Sequence, residues 1–365
     1  MKILLNQYKY AWSRDWTRFD RPQGSYYMEY LPLKALAEAN GHSVNAFYFD
    51  EAILNYGREG AQKRFWEYIL QEKPDVSIIG FNEYDVGMEN FRKMRQQEFT
   101  TFVYLGDDDT WRWERVGRHF AKYFHWIVTY DSRAVKKYKS IGCKNIIHTQ
   151  PGVGLETYKK LGREKDIDVS FMGTWSKPRG QVIKYLRASG INVLTRGPLW
   201  PEGVVSIDEL IDIINRSKIC LSLNTAPFEI GWRPITRLFF RRALLKEGGL
   251  PIKLDIWNFY DNVRSLLMKR NRWVKSRNFE VPACGTMEMT QDADDLRDYY
   301  KLGEEIVVYK DNEDLLQKVK YYLAHPEERE EIARKGYERT IHEHSSEKRW
   351  EGIFEKIGHP IVDPH

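Results

Sequence analysis

No apolar run in these 365 residues approaches the roughly 18 that a membrane-spanning helix needs, which argues against a helical integral membrane protein. The opening Met1–Leu5 stretch carries one lysine and is soon broken by Asn6, Gln7 and Lys9, too short for the apolar core of a signal peptide. Cysteine is scarce. Cys143, Cys220 and Cys284 are odd in number, far apart and without metal-ligand spacing. That excludes a disulfide framework, and the expectation is reduced thiols in a cytoplasmic protein. There is no low-complexity tract and no short repeat, so neither a solenoid nor a disordered array is expected.

What is present is a globular composition, 42% hydrophobic and 30% charged, over a length that suits two domains. The first 150 residues alternate short apolar strands with helical patterns. Strands are predicted at Lys2–Asn6, Val44–Phe49, Val76–Phe81, Thr101–Leu105, Trp126–Thr129 and Asn145–His148. Helices are predicted at Tyr26–Ala39, Glu59–Gln71 and Ser132–Ser140, the first ended by Asn40-Gly41. The pattern then restarts, with strands at Asp168–Met172, Asn192–Thr195, Ile219–Leu223 and Ile306–Tyr309 between helices, and a helical C-terminus. Such alternation predicts two doubly wound α/β units, each with a parallel sheet covered on both faces. Open parallel sheets bind ligands beyond the carboxyl ends of their strands, so two units facing a cleft suit a two-substrate reaction. The expected boundaries are 1–155, 156–344, and a C-terminal helix over 345–365 that crosses back to the first domain.

Two stretches carry a resemblance. One runs from Arg277-Asn278-Phe279-Glu280-Val281-Pro282-Ala283-Cys284-Gly285 through Gly303-Glu304-Glu305 and Tyr322-Leu323-Ala324-His325-Pro326-Glu327-Glu328-Arg329 to His344. The other comprises Gln150-Pro151-Gly152-Val153 and Asp168-Val169-Ser170-Phe171-Met172-Gly173-Thr174. Together they resemble the group 1 glycosyltransferases, in particular their CgeB-like branch. The resemblance implies the GT-B architecture of two Rossmann-like domains. It also implies transfer of a sugar from a nucleoside diphosphate sugar, with retention of configuration favoured. The expected partners are that nucleotide sugar and an unidentified acceptor, with no cofactor and no essential divalent metal.

Glu280 stands where the family's ribose-binding glutamate stands, and a carboxylate can accept from both ribose hydroxyls at once. Many retaining relatives carry a second glutamate eight positions earlier, facing the sugar; here Arg272 occupies that place. Glu288 repeats the spacing on the other side of Glu280, beyond the Ala283-Cys284-Gly285 turn, and is read as coincidence. Gly285 is expected to turn the backbone tightly near the nucleotide. The loop Gly173-Thr174-Trp175-Ser176-Lys177-Pro178-Arg179-Gly180 lacks the spacing of a P-loop. In the family it faces the diphosphate, where N–H groups at a helix start, Lys177 and Arg179 would neutralise the leaving group. Arg196, Arg277 and Asn224 are further candidates for the nucleotide pocket.

Asp107, Asp108 and Asp109 follow a strand at its carboxyl end, and three readings stay open: a divalent metal site, a general base for the acceptor, or a solvated turn. Gly24 and Ser25 open the first helix after a long loop rich in Arg, Asp and Trp, and are candidates for acceptor binding. His125 opens a strand away from the cleft, which favours a structural role over that of a base. Residues 225–277 hold twelve basic and four acidic groups, a local excess of +8 in a chain of net +5, interleaved with aromatics. This segment suits an anionic acceptor, a nucleic acid, or amphipathic helices with buried aromatics. The rival readings to glycosyl transfer are a nucleotide-sugar epimerase or hydrolase on the same fold, and a non-catalytic polyanion-binding module.

Overall fold

The computed structural model describes residues 1–12, 18–22, 25–81, 85–106, 112–224, 232–242, 252–267 and 274–362. The chain divides into two compact units. The first comprises Met1–Gln150, Phe228–Arg270 and Arg349–His365; the second comprises Pro151–Pro227 and Asn271–Lys348. The segment Phe228–Arg270 thus belongs with the first unit, where chain order suggested the second.

The first unit is built on a six-stranded sheet. Its strands are β1 (Lys2–Gln7), β2 (Ser43–Tyr48), β3 (Val76–Ile79), β4 (Thr101–Gly106), β5 (Trp126–Thr129) and β6 (Ile146–His148). They lie in the order β2-β1-β3-β4-β5-β6, and every pairing is parallel. A parallel sheet is apolar on both faces, and β1 shows why. Leu4 enters a core with Phe65, Phe91, Phe120 and Tyr138, while Ile3 and Leu5 enter the opposite one with Leu33, Trp350, Ile353 and Phe354. The C-terminal helix Ser346–Lys356 therefore covers a face of the first sheet. It is pinned there by the buried Arg349, whose guanidinium pairs with Glu29 while its Nη1 also donates to the Tyr130 hydroxyl at 2.8 Å.

The second unit is built on β7 (Ile167–Met172), β8 (Val193–Arg196), β9 (Ser217–Ser222), β10 (Met287–Gln291) and β11 (Val307–Tyr309). The order is β8-β7-β9-β10-β11, again all parallel. Strand β10 is absent from the sequence expectation, because Glu288 interrupts its apolar run. Local chemistry starts the helices as expected. The helix Ile207–Arg216 opens with Ser206, whose side chain accepts from the Glu209 N–H at 3.1 Å, and Lys177–Ala188 carries proline in its first turn. Among the described residues no helix is long and apolar enough to cross a membrane.

Candidate functional site

The carboxyl ends of β7, β9 and β10 converge in the second unit, and most of the expected donor-binding residues gather there. Gly173 follows β7 directly. Its N–H donates to the Arg196 carbonyl at 3.0 Å, and its own carbonyl accepts from Trp200 Nε1 at 2.8 Å. A Cβ on Gly197 would lie 2.4 Å from that carbonyl oxygen, and Gly197 has φ +131°, so only glycine lets the two loops meet. Thr174 and Lys177 are exposed beyond this bolt, at the start of the Lys177–Ala188 helix. No side chain caps that helix. Its first N–H groups, unpaired within the helix, form the positive end of its dipole.

Arg179, from the same helix, turns back across the loop. Nε and Nη2 donate to the Leu223 carbonyl at 3.2 and 3.0 Å, and Nη1 to the Thr174 carbonyl at 2.8 Å. The guanidinium also lies over the Phe171 ring. Burial, and then the like charge of Arg277, hold Arg179 below the usual arginine range. The charge of Arg277 thus reaches Arg179, and an anion bound in that neighbourhood would relieve the repulsion.

Arg277 opens the helix Arg277–Ala283, and its Nη1 lies 2.7 Å from Glu280 Oε2, an ion pair whose angle is not that of a hydrogen bond. Its side chain retains 21% exposure against 6% for Glu280, while the Nη1 that meets the carboxylate is itself buried. Tyr158 hydrogen-bonds to the same carboxylate, and burial followed by the Glu280 charge pushes its phenol well above the usual value. Glu280 thus has two partners before any ligand arrives. Gly285 adopts φ +69° and ends the helix, its N–H donating to the Pro282 carbonyl at 2.8 Å. Its carbonyl accepts from Lys165 Nζ at 3.3 Å, and the same amine donates to Thr286 Oγ1 at 2.6 Å. Burial lowers that amine to about 8.

Behind the pair lies a buried polar network that sequence reasoning did not find. Asn278 Nδ2 donates to Glu288 Oε1 at 2.7 Å and to Thr290 Oγ1 at 3.1 Å; its Oδ1 accepts from the Lys275 N–H at 2.8 Å. Asn224 Nδ2 donates to Thr290 Oγ1 at 2.9 Å, and approaches Asn278 Oδ1 at 3.3 Å. Asn224, 4% exposed, is thus turned inward and fixes the Arg277–Ala283 helix, rather than lining an open pocket as expected. Burial pushes the Glu288 carboxyl up to about 8, although Ser222, Asn278 and Arg277 each favour its ionised form. The spacing of Glu288 from Glu280 was the available signal, and it pointed into the core rather than at a sugar.

Other candidates fall apart from this group. Arg196 Nη1 donates to the Thr195 carbonyl at 2.9 Å. Cys284 is buried, and burial pushes its thiol far up, which fits a packing role and not a nucleophile. His125 Nδ1 accepts from the Phe102 N–H at 3.0 Å, a structural role. In the first unit the Ser25 hydroxyl is buried and has no hydrogen-bond partner among the described residues. Gly24, Asp107, Asp108, Asp109 and Arg272 lie outside the described residues. Among those described, no three His, Cys, Asp or Glu side chains gather as metal ligands would.

The family described as "Glycosyl transferase-like" matches residues 249–355, a span that contains Arg277, Glu280 and Glu288. Spore protein CgeB of Bacillus subtilis is 22% identical over 330 residues, covering 85% of this chain and 94% of the relative. Among solved structures, sucrose-phosphate synthase from Thermosynechococcus elongatus superposes with a TM-score of 0.61 at 12% identity, over 98% of this chain and 97% of its own. Anabaena HepE in complex with UDP and glucose gives 0.60 at 10% identity, over 98% and 99%. AviGT4, a glycosyltransferase of avilamycin A biosynthesis, gives 0.58 at 14% identity, over 98% of both chains. The chain thus carries a glycosyl transferase-like region over residues 249–355, is similar to CgeB along most of its length, and shares the GT-B fold of these solved structures.

Proposed function

We propose that the second unit binds a nucleoside diphosphate sugar and that the enzyme transfers the sugar with retention at the anomeric carbon. The observation that carries this reading is the Arg179–Arg277–Glu280 cluster beside an uncapped helix start at the carboxyl ends of β7 and β9. A diphosphate adds two or more negative charges. The two guanidiniums, Lys177 and the N–H groups that open the Lys177–Ala188 helix supply the complement, and they stabilise the same charge as it grows on the leaving group. Glu280 accepts from the ribose hydroxyls. On this reading Arg277 holds Glu280 in place until the nucleotide arrives, and then turns its exposed edge to the phosphates. Arg179 shapes the loop through its carbonyl bonds. Uridine diphosphate is the first ligand to test, because HepE holds it on the same fold.

A thermal-shift series with UDP, GDP, ADP, dTDP and CDP tests the site. At a concentration 100-fold above Kd, the matching diphosphate adds about 2.7 kcal/mol to stability. Glu280→Gln loses a charge-assisted hydrogen bond and weakens binding by roughly 10- to 100-fold. If none of the five nucleotides shifts the wild-type midpoint, the donor site is refuted. A product of inverted anomeric configuration, seen by NMR, would overturn retention alone.

A further inference from the structure

Within the first unit, residues 232–242 and 252–267 form a small assembly of their own. The helices Trp232–Phe239 and Phe259–Leu267 meet through the Phe239 and Phe259 rings, 5.1 Å apart, and through Asn262 Nδ2 donating to the Leu238 carbonyl at 3.1 Å. Between them, Phe240–Arg242 pairs antiparallel with Ile252–Leu254. Acidic residues fasten this assembly to the body of the unit. Asp255 pairs with Arg115, and Asp261 with Arg118 at 3.3 Å and His119 at 3.1 Å. In the other direction, Arg264 Nε reaches Glu114 at 3.0 Å.

The outer side of the assembly is apolar and bare. Trp257 is 92% exposed, Tyr260 64%, Ile252 63%, Leu254 61%, Ile256 48% and Phe240 43%. Of the seventeen large apolar side chains exposed among the described residues, nine lie between residues 235 and 260. The hairpin register sets Phe240 opposite Leu254 and puts Ile252 two residues away on the same face. A concentration of this kind marks an interaction surface.

Charge selects the partner. Residues 228–270 contain nine basic and four acidic groups, and two of those acids, Asp255 and Asp261, are paired with the body of the unit. By sequence the segment therefore carries a net +5, and an anionic partner complements it. A second copy presents the same positive charge and is repelled. A nucleic acid stacks on aromatic faces but finds no use for exposed Ile252, Leu254 and Ile256. An anionic bilayer takes all three elements at once: aliphatic side chains at the acyl boundary, Trp and Tyr at headgroup level, and basic residues against acidic lipids. We propose that the exposed Phe240, Ile252, Leu254, Trp257 and Tyr260 dock the protein on an anionic membrane surface. A corollary, that the acceptor is displayed at that surface, also rests on the glycosyl-transfer reading; the docking does not.

Co-sedimentation of the full chain with phosphatidylcholine vesicles, with and without phosphatidylglycerol, tests the proposal in the absence of any nucleotide. The expected result is partition to the anionic vesicles only, weakening as salt is added. The triple variant Ile252→Ser/Leu254→Ser/Trp257→Ser, at exposed positions, keeps its circular dichroism and thermal midpoint and loses at least tenfold in partition. Arg237→Glu loses at least about fivefold, the worth of one basic residue near an acidic leaflet. No partition to anionic vesicles overturns the proposal, as does equal partition to neutral ones. So does a lipid-free dimer that the triple variant abolishes, or tighter binding to a single-stranded oligonucleotide than to vesicles.

Discussion

Glu288→Gln is a substitution whose consequence follows directly from burial. Glu288 is fully buried in β10, and its carboxyl is pushed up to about 8 from an ordinary 4.5. The folded state therefore keeps a proton that the unfolded chain has released, from about pH 4.5 up to about pH 8. A folded-state pKa raised in this way gives stability that is full below pH 4.5 and is lost as pH climbs through 8. The slope is about 1.4 kcal/mol per pH unit. The cleanest window is pH 6.5 to 8. Below it His125 and His344, both held low chiefly by burial, titrate with the opposite sign. Above it Lys165, lowered to about 8, takes up a proton in the unfolded chain and makes stability rise again. Across this window the Glu288 proton, half gone by pH 8, costs the wild type about 1.6 kcal/mol, a fall of roughly 3–6 °C for a unit of this size. Glutamine reproduces the protonated carboxyl: its oxygen accepts from Asn278 and its amide has no charge to bury. Midpoints measured by calorimetry at pH 6.5, 7.0, 7.5 and 8.0 should fall in the wild type and stay level in Glu288→Gln. Equal slopes in the two proteins would show that Glu288 is ionised in the fold, and the reasoning would be wrong.

Gly197→Ala should cost about 2 kcal/mol or more and weaken nucleoside diphosphate binding at least tenfold by calorimetric titration, since its Cβ would press on the Gly173 carbonyl at 2.4 Å. Gly190→Ala, also at positive φ but with nothing within 4 Å, should cost about 1 kcal/mol and leave binding unchanged. Arg349→Met leaves Glu29 buried without its cation and should destabilise by about 3–5 kcal/mol in denaturant titration. Glu29→Leu added to it should recover much of that loss.

The parts of the fold that were legible are those whose signal is local. A parallel strand buried on both faces must be a short apolar run, and ten such runs were readable between Lys2 and Tyr309. Strand β10 hid because its centre is a carboxylate that only a buried network tolerates. No period in the sequence reports that Asn278, Asn224 and Thr290 will converge on it. The placement of Phe228–Arg270 hid for a related reason. Chain order puts it inside the second unit, while the contacts that hold it come from Arg115, Arg118 and His119, more than a hundred residues earlier. Glu280 and Gly285 were legible through a resemblance of motif, whereas Tyr158 and Lys165, which hold them, carry no motif at all.

The same accounting explains why Glu288 matters to the site and not only to the core. Arg179 and Arg277 bring two positive charges to the ends of β7 and β9, and Glu280 brings one negative charge. A neutral Glu288 leaves one positive charge uncompensated, held in place by carbonyls and by one ion pair. An ionised Glu288, close enough to Arg277 to feel its charge, would cancel that surplus from the core side. On the proposed donor-site reading, the burial that costs the carboxylate its charge therefore preserves the attraction for a diphosphate. Asn278 joins the two roles, since one amide both binds Glu288 and anchors the helix that carries Arg277 and Glu280.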